Sequence, residues 1–425
     1  MTIAVFLLSL LGAMAIGMPI AFALLVSGAA LMWHLDLFDT QILAQNTING
    51  ADSFPLLAVP FFMLAGEIMN AGGLSRRIVH LAMTLVGHVR GGLGYVVILA
   101  AVMMAALSGS AVADTAALAA LLLPMMVKAG HDPARAGGLI ASAGIIAPII
   151  PPSIGFVIFG VAANVSITKL FLAGIVPGLL MGVAIALTWY FVARKENVAP
   201  PPRASATQRL HALREATWAL VLPLIVLVGL KAGVFTPTEA AVVAAVYALF
   251  VATVVYRELD ARRLYAVFVS AAKTTAVVMF LVAAAMVSAW LITVAQLPAE
   301  LVTLLQPLLD QPTLLLLAIM LLVILVGTAM DMTPTVLILT PVLMPLVKAA
   351  GIDPVYFGVL FIMNNAIGLV TPPVGTVLKV VAGVGRMRLD QVTVGVLPFM
   401  AAQFGVLFLL VLFPQIVLVP LKFFY

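Results

Sequence analysis

The chain has 425 residues, of which 64% are apolar and 9% are charged, and its formal net charge is +5. Soluble domains are roughly half apolar and about a quarter charged, so a large soluble core is excluded. The sequence has no cysteine, which excludes disulfides, thiolate metal sites and cysteine nucleophiles. The basic excess predicts cytoplasmic loops rather than nucleic-acid binding, because no Lys/Arg-rich soluble domain is present.

Long apolar stretches recur along the chain and predict an all-α polytopic membrane protein with about ten to twelve hydrophobic elements. A membrane-spanning helix needs about 20 apolar residues, and residues 170–192 and 274–295 meet that length. Residues 1–16 precede the first basic residue, Arg76. They therefore lack the positive region of a signal peptide, and we expect a retained membrane segment.

An internal repeat relates the two halves of the chain at an offset of 221 residues. The alignment needs no gap, and chance gives roughly half a matching Gly or Pro where eight are found. The identities are Pro124/Pro345, Gly130/Gly351, Asp132/Asp353, Pro133/Pro354, Gly137/Gly358, Pro151/Pro372, Pro152/Pro373, Gly174/Gly395 and Pro177/Pro398. The repeat predicts that each half folds into the same series of elements.

The repeat and the apolar pattern together predict how the chain is divided. The first repeat, 1–193, comprises scaffold helices 1–70, an arm 74–90, a hairpin 93–128, a broken helix 135–163 and a helix 170–193. A linker, 194–215, leads to the second repeat, 216–425. That repeat comprises scaffold helices 216–296, an arm 297–311, a hairpin 312–348, a broken helix 355–383 and a final helix 391–420.

The distribution of charge predicts that the two repeats are inverted relative to each other. The arm 74–90 carries Arg76, Arg77 and Arg90, whereas the arm 297–311 carries two acidic residues and no Lys or Arg. Basic residues mark cytoplasmic segments, and an inverted repeat places equivalent segments on opposite sides of the membrane. We therefore expect the first arm and the linker in the cytoplasm, and both termini in the periplasm.

Each repeat contains two features that an ordinary membrane helix avoids: a polar tip in the hairpin and a Pro-Pro break in the following helix. Proline removes a backbone donor and leaves carbonyls unpaired, which membrane depth tolerates only inside protein or beside a wet cavity. Freed carbonyls and Ser/Thr hydroxyls suit an alkali cation, and half-helix N-termini attract anions. A lone proline kink is more often structural, but the duplication predicts two ion sites. The first tip is Ser108-Gly109-Ser110 with Asp114 and Thr115, and the second is Gly327-Thr328 with Asp331 and Thr333-Pro334-Thr335. The breaks lie at Pro151-Pro152 and Pro372-Pro373.

Several other polar residues interrupt apolar stretches. Asp114 and Asp331 are intramembrane ionisable groups and therefore functional candidates, with the capping of a half-helix as an equal alternative. Weaker candidates, explained equally well by packing hydrogen bonds, are Glu67, Glu239, Asn364 and Asn365. The histidines are predicted to lie at the surface; they are His34, His80, His88, His131 and His211.

Motifs that occur together in few families lie at 90–94 (Arg-Gly-Gly-Leu-Gly), 108–114, 150–153 (Ile-Pro-Pro-Ser), 170–178, 236–241 and 364–376. In these motifs the sequence resembles the large membrane subunit, the M or DctM-like subunit, of the tripartite ATP-independent periplasmic (TRAP) transporters. The resemblance covers essentially the whole chain. It implies a fold like that of the divalent anion/sodium symporters, in which hairpins and broken helices form a transport domain that moves as an elevator against a scaffold.

The resemblance further implies a sodium-coupled secondary importer of an organic acid, not an enzyme, in the bacterial inner membrane. Its implied partners are a periplasmic substrate-binding protein and a separate small four-helix membrane subunit. We expect the small subunit to contact the scaffold, at residues 1–71 and 220–290, because the moving elements must stay free. Two or more Na⁺ ions are the implied coupling ions, and no other metal is expected.

The resemblance also assigns site residues by position. The first sodium site comprises Ser108, Gly109, Ser110, Gly144, Pro151 and Ser153. The second comprises Gly327, Asp331, Thr333, Gly368, Thr371 and Gly375. Substrate binding is assigned to Ser110, Asp114, Pro152, Ser153, Asn365, Pro373 and Thr376. The first break ends in Pro-Pro-Ser and the second in Pro-Pro-Val-Gly-Thr, so the two ion sites need not share ligands.

Other functions are weighed against these motifs. An intramembrane enzyme is disfavoured because the sequence has no His-Glu-x-x-His zinc motif and no Gly-x-Ser-x-Gly elbow. An ATP-driven pump is disfavoured because there is no phosphate-binding loop of the Gly-x-x-x-x-Gly-Lys type. A stand-alone sodium/anion symporter or sodium/proton antiporter of similar architecture stays open, and co-purification with a small four-helix protein would discriminate.

Overall fold

The structure is a computed structural model that describes residues 2–196 and 198–424, and helices form nearly all of its regular structure. Tyr425, the C-terminal residue that we expect in the periplasm, lies outside the described residues. The helices of the first half are α1 Thr2–Ala15, α2 Ile20–His34, α3 Thr40–Ala51, α4 Ala58–Ala71, α5 Leu74–Val86, α6 Gly92–Ser108, α7 Ala111–Lys128, α8 Pro133–Gly144, α9 Ile154–Ala163 and α10 Ile167–Ala193.

The second half continues without any strand among the described residues. Its helices are α11 Ala206–Lys231, α12 Pro237–Phe250, α13 Ala261–Val294, α14 Leu297–Leu304, α15 Gln306–Leu309, α16 Pro312–Gly327, α17 Met332–Ala349, α18 Pro354–Gly368, α19 Thr376–Gly385, α20 Leu389–Leu412 and α21 Gln415–Phe424. A 3-10 turn, Phe54–Leu57, precedes α4, and a π-helical turn, Val251–Val255, follows α12. Eight helices within the described ranges are long and apolar enough to cross a membrane.

Two element boundaries differ from those expected from hydrophobicity. The first helix of the second half begins at Ala206 rather than at residue 216, because Ser205 and Gln208 form a capping box ahead of a polar first stretch. The final helix, expected as one element over 391–420, is divided into α20 and α21 at Phe413 and Pro414. Proline cannot donate the hydrogen bond that would continue the helix.

The helices pack in two groups that draw on both halves of the chain. In the first group α4 packs against α12 and α13, and α2 and α3 pack against α13. In the second group α8 packs against α7 and α20, while α10 packs against α18 and α20. Each hairpin contacts the broken helix of the other half, since α17 packs against α9 and α7 packs against α19. We refer to the first group as the scaffold group and to the second as the hairpin group.

Glycines of the Arg-Gly-Gly-Leu-Gly motif accommodate a buried tryptophan. Trp189 of α10 is fully buried and its Nε1 donates to the carbonyl of Gly91 at 2.8 Å. Gly91 has a φ of +71°, and a Cβ on Gly94 would overlap the indole ring of Trp189. Side chains at these two positions would therefore separate α6 from α10.

An aromatic cluster joins the two broken helices. The ring of Phe159 in α9 lies 6.2 Å from Phe357 and 5.8 Å from Phe361, both of α18, and all three rings are fully buried. Gly358 lies under the same ring, where any Cβ would overlap Phe159. Burying three phenylalanines and pairing their rings stabilises this junction by several kcal/mol, at roughly 1.5–3 kcal/mol for each side chain. This contact between α9 and α18 therefore fixes the position of one Pro-Pro break relative to the other.

One histidine departs from the predicted surface location. His131, between α7 and α8, is buried, and its Nδ1 lies 2.6 Å from Glu196 Oε2. Arg135 also contacts Glu196, at 3.3 Å, and the His131 ring lies 5.5 Å from that of Trp189. The prediction for His131 was wrong because its burial comes from α10 and the residues after it, which are distant in sequence.

Candidate functional site

The tip of the first hairpin is a tight turn in which only Gly109 and Ser110 lie between α6 and α7. Gly109 has a φ of +62°, a conformation that favours glycine. A Cβ built on Gly109 would overlap the carbonyl oxygen of Pro152. The hairpin tip and the first Pro-Pro break, which were linked only by inference from the sequence, therefore lie in direct contact.

Both serines of this tip are engaged in local hydrogen bonds. Ser110 is the N-cap of α7 and its Oγ accepts from the Ala113 backbone N at 3.4 Å. Ser108 Oγ accepts from the Ser110 backbone N at 3.2 Å and donates to Asp114 Oδ1 at 2.5 Å. Asp114 is buried and its Oδ2 has no hydrogen-bond partner among the described residues. Asp114 therefore lies behind the tip and positions it.

The first break separates α8 from α9 and is fixed by Ser153. Its Oγ accepts from the Phe156 backbone N at 3.1 Å, capping α9, and donates to the Pro148 carbonyl at 2.5 Å. At the end of α8, a Cβ on Gly144 would overlap the Thr115 hydroxyl of α7, which itself has no partner in the described structure. Gly144 thus lets the broken helix approach the hairpin closely.

The second tip meets the second break in the same manner. The Cα atoms of Gly327 and Gly368 lie so close that a Cβ on Gly368 would be 3.2 Å from Gly327 Cα. The Val374 backbone N, within the break, donates to the Thr328 carbonyl at 3.3 Å. Gly375 follows with a φ of +44° and precedes α19. Each hairpin tip therefore rests on the break of its own repeat.

Several oxygens around the second break have no hydrogen-bond partner. Thr371 Oγ1 donates to the Ile367 carbonyl at 2.8 Å and is already engaged within its own helix. The amide nitrogens of Asn364 and Asn365 donate to the carbonyls of Met320 and Phe361. The amide oxygens of both asparagines are buried and lack a partner among the described residues. The buried Thr376 hydroxyl lies beside the Asp331 carboxylate without a well-aligned hydrogen bond. Buried oxygens of this kind are rare in proteins and mark sites where an ion or water can bind.

The two tips line a single cavity of about 410 Å³ at the boundary between the hairpin group and the scaffold group. The scaffold contributes α4 and α13, and Gly66 of α4 is so close to the first tip that a Cβ there would lie 3.2 Å from Ser108 Cβ. Glu67 and Asp331 are the acidic residues of the lining, and the described lining contains no Lys, Arg or His. The cavity is lined by Met63, Gly66, Glu67, Ser108, Gly109, Ser110, Thr274, Val278, Asp331, Met332 and Thr333, among others.

The sequence-predicted site residues fall into two classes around this cavity. Those that line it are Ser108, Gly109, Ser110, Asp331 and Thr333. The others lie at the breaks or behind the tips; they are Asp114, Gly144, Pro151, Pro152, Ser153, Gly327, Asn365, Gly368, Thr371, Pro373, Gly375 and Thr376. On the scaffold wall the sequence named only Glu67, as a weaker candidate, and it missed Gly66 and Thr274, since nothing local marks them as facing a tip.

Glu239 has a structural role away from the cavity. It is exposed and forms a capping box with Thr236, accepting from its backbone N at 2.8 Å. The neighbouring Thr238 Oγ1 donates to the Phe54 carbonyl at 3.1 Å, so this motif fixes the start of α12 against the scaffold.

The acidic and histidine side chains do not form a metal centre. Among the described residues, no cluster of three or more His, Cys, Asp or Glu side chains could hold a metal ion.

Comparison with solved structures supports the fold. The crystal structure of the Alcanivorax borkumensis YdaH transporter superimposes with a TM-score of 0.62 at 18% identity, covering 90% of this chain and 88% of that one. At this identity the likeness concerns the fold alone. Together with the eight apolar helices of membrane-spanning length, it confirms the predicted all-α polytopic membrane protein.

Comparison of sequences identifies the family. The model of the DctM component of the tripartite ATP-independent periplasmic transporters matches residues 7–416. The 2,3-diketo-L-gulonate TRAP transporter large permease protein YiaN of Escherichia coli is 60% identical over 422 residues, covering 99% of both chains. The sialic acid TRAP transporter large permease protein SiaM of Vibrio cholerae is 41% identical over 408 residues, covering 96% of both chains.

These relatives are transport proteins and not enzymes, which confirms the predicted class. The C4-dicarboxylate TRAP transporter large permease protein DctM of Pseudomonas aeruginosa is 38% identical over 375 residues, covering 88% of both chains. The chain belongs to the DctM family and is a multi-pass inner-membrane large permease of the TRAP transporters, a family that works with a small membrane subunit and a periplasmic binding protein.

Proposed function

We propose that this chain is the permease of a sodium-coupled secondary importer, and that its cargo is an organic carboxylate handed over by a periplasmic binding protein. The observation that carries the proposal is the cavity in which both hairpin tips face the scaffold. Relatives named for 2,3-diketo-L-gulonate, sialic acid and C4-dicarboxylates support a carboxylate as the cargo.

The charge of the cavity favours uptake of cations with the substrate. Glu67 and Asp331 line it, and its described lining has no basic side chain. Two like charges about 4 Å apart repel by roughly 4 kcal/mol near a protein surface, so a carboxylate needs compensation there. The N-termini of α7 and α17, at Ser110 and Asp331, supply part of it through the helix dipole. Coupled cations would supply the rest.

Oxygen donors suited to sodium surround both tips. At the first break these are carbonyls freed around Pro151 and Pro152, together with Thr115 Oγ1, which lacks a partner in the described structure. At the second break they are freed carbonyls, the unpaired amide oxygen of Asn365 and the Thr376 hydroxyl beside Asp331. Hard, uncharged oxygens are the ligands that alkali cations favour. We assign one sodium site to each break on this ground.

The position of the cavity supports a moving hairpin group. Gly66 and Glu67 lie in the last turns of α4, which ends at Ala71 just before the basic arm. If that arm is cytoplasmic, the tips face the cytoplasmic end of the scaffold. We infer that this is an inward-facing arrangement, and that the hairpin group slides along α4 and α13 as an elevator. The small four-helix subunit would then bind the scaffold, and both termini would face the periplasm.

The proposal is tested by reconstituting the chain with its small subunit and binding protein in liposomes. An imposed inward sodium gradient should drive accumulation of substrate without ATP. Uptake that ignores sodium and follows a proton gradient would refute the coupling. Uptake that is undiminished without the binding protein and the small subunit would instead support the alternative, a stand-alone sodium/anion symporter or sodium/proton antiporter.

A further inference from the structure

A second, separate groove of about 830 Å³ lies at the C-terminal end of α7, whereas the first hairpin tip lies at the N-terminal end of that helix. It runs between α7 and the junction of α19 with α20, and it shares no lining residue with the tip cavity. One wall is apolar and is formed by Ala120, Leu123, Val127 and Val384. Val127 and Val384 are exposed, which makes the wall continuous with the apolar outer surface of the helices.

The end of this groove is cationic. Lys128 lies in the last turn of α7, and Arg386 is the C-cap of α19. Each alone is explained by the helix dipole, which favours a cation at a helix C-terminus. Neither side chain has a hydrogen bond or ion pair within the described part of the chain. The C-terminal ends of α7 and α19 thus bring the charges of Lys128 and Arg386 to one groove, where neither forms an ion pair within the described part of the chain.

Neighbouring acidic side chains leave these charges uncompensated. Asp390, at the start of α20, pairs with Arg388 at 2.7 Å and accepts two hydrogen bonds from its guanidinium. Asp132, at the start of α8, accepts from the Arg135 backbone N at 2.9 Å as an N-cap. The described lining of the groove contains Lys128 and Arg386 but no Asp or Glu, so its charge is net positive.

We propose that this groove binds an anionic phospholipid, with the headgroup at Lys128 and Arg386 and an acyl chain along the apolar wall. A ligand for it needs an anionic head joined to an apolar chain, and the surrounding bilayer contains such molecules. Basic pockets between membrane helices on the cytoplasmic side are suited to anionic headgroups. A free anion could pair with Lys128 and Arg386 but would make no contact with the apolar wall at Leu123 and Val127.

The bound lipid would link elements from both halves of the chain. The groove lies where α7 of the first hairpin packs against α19 of the second broken helix, and a Cβ on Gly385 would be 2.5 Å from Leu123 Cδ2. A lipid that contacts Lys128 on one side and Arg386 on the other therefore holds these helices together. It would travel with the hairpin group and would not touch the ion sites.

The test is a binding titration of the purified full-length protein in neutral detergent with phosphatidylglycerol that carries a fluorescent acyl chain. Each cation at an anionic lipid surface contributes about a fivefold change in affinity, so Lys128→Gln and Arg386→Gln should each raise the Kd about fivefold. The double variant should raise it roughly 25-fold. Phosphatidylcholine with the same acyl chains should bind far more weakly to the wild type.

Matched variants distinguish a lipid in this groove from a general loss of surface charge and from a free anion. Arg262→Gln with Lys422→Gln removes two exposed cations outside the groove and should leave binding unchanged. Ala120→Trp fills the apolar wall and keeps both charges, so it should weaken lipid binding but not the binding of inorganic phosphate.

Several outcomes would overturn the proposal. They are wild-type affinity in the double variant, equal affinity for phosphatidylcholine, and lipid binding unaffected by Ala120→Trp. If the double variant elutes abnormally on gel filtration, Lys128→Arg with Arg386→Lys takes its place. That variant keeps the charge and must bind like the wild type, and a loss of binding there contradicts the proposed charge recognition.

Discussion

The backbone of Gly109 lies directly against the carbonyl oxygen of Pro152, so that the first hairpin tip and the first Pro-Pro break share one contact surface. Gly109→Ala would add a methyl group that overlaps this carbonyl and would also strain a left-handed backbone by about 1 kcal/mol. We expect the variant to assemble and to lose most sodium-dependent uptake, because the carbonyl is displaced. The measurement is sodium-driven uptake by the reconstituted transporter.

Gly233→Ala is the control for backbone strain. Gly233 has a φ of +69° but no atom within 4 Å of a built Cβ. It should retain wild-type uptake. Equal losses in the Gly109 and Gly233 variants would show that strain, rather than the contact with Pro152, causes the defect.

The hydroxyls of Ser110 and Thr371 belong to the two sodium sites expected from the sequence. Each oxygen keeps a lone pair for an ion beside the hydrogen bond that it makes within its helix. Removing one oxygen ligand from a sodium ion should cost about 1–2 kcal/mol, a tenfold or larger rise in the sodium concentration for half-maximal uptake. Ser110→Ala and Thr371→Ala should each show this rise while docking of the binding protein is unchanged.

Two controls reproduce the local chemistry without a sodium site. Ser205→Ala removes an N-cap serine from α11, as Ser110→Ala does from α7. Thr393→Ala removes a hydroxyl that donates to the carbonyl four residues earlier at 2.8 Å, as Thr371 does. If these variants changed sodium dependence as much as the site variants, the hydroxyls would have to be regarded as structural.

The prolines of the breaks allow a test that leaves every side-chain charge unchanged. Pro152→Ala and Pro373→Ala each restore a backbone donor, which can pair with a carbonyl that would otherwise bind an ion. We expect both variants to raise the sodium concentration that gives half-maximal uptake. Pro398→Ala, inside α20 and away from the breaks, is the matched control. Normal sodium dependence in both break variants would mean that the breaks are kinks, and the ions would have to be sought near Asp114 and Asp331.

Arg77 connects the basic arm to the scaffold through Glu258 and Tyr256, and we expect its replacement to lower the stability of the fold. Its Nη1 lies 2.6 Å from Glu258 Oε1, and its guanidinium carbon lies 3.7 Å from the centre of the Tyr256 ring. Arg77→Ala should lower the free energy of unfolding by about 1–3 kcal/mol, because an ion pair and a cation–π contact are both lost. Thermal unfolding in detergent measures the change.

Arg76→Ala is the comparison within the same arm. Arg76 contacts the same Glu258 at 3.2 Å, but its side chain is 68% exposed against 22% for Arg77. An exposed pair contributes less than about 1 kcal/mol. If Arg76→Ala lowered stability as much as Arg77→Ala, the number of arginines that contact Glu258 would matter more than the burial of each arginine side chain.

The orientation in the membrane is the last prediction. Reporter proteins fused at Pro201 and after Tyr425 should report opposite sides, cytoplasm for the linker and periplasm for the C-terminus. The reason is the concentration of Lys and Arg in the first arm and the linker. Reporters on the same side would contradict both the topology and the inward-facing interpretation of the cavity.

Much of this protein is determined locally by the sequence. Apolar stretches of sufficient length become membrane helices because the bilayer requires internal hydrogen bonding of the backbone, and eight helices of that length and character lie within the described residues. Pro151-Pro152 and Pro372-Pro373 interrupt helices because proline cannot donate, whatever surrounds it. The polar residues at the start of α11 were missed because a capping box, and not hydrophobicity, begins that helix.

Only the tertiary structure decided which of these features meet. Ser108 and Asp331 lie in separate halves of the chain, and the packing of α17 against α9 and α13 brings them to one cavity. Gly66 became part of that cavity because α4 approaches the tip. Asp114 does not line the cavity, because its carboxylate lies behind the turn and accepts a hydrogen bond from Ser108 Oγ. Contacts between residues far apart in the chain depend on how whole helices pack, and no local pattern of residues specifies that packing.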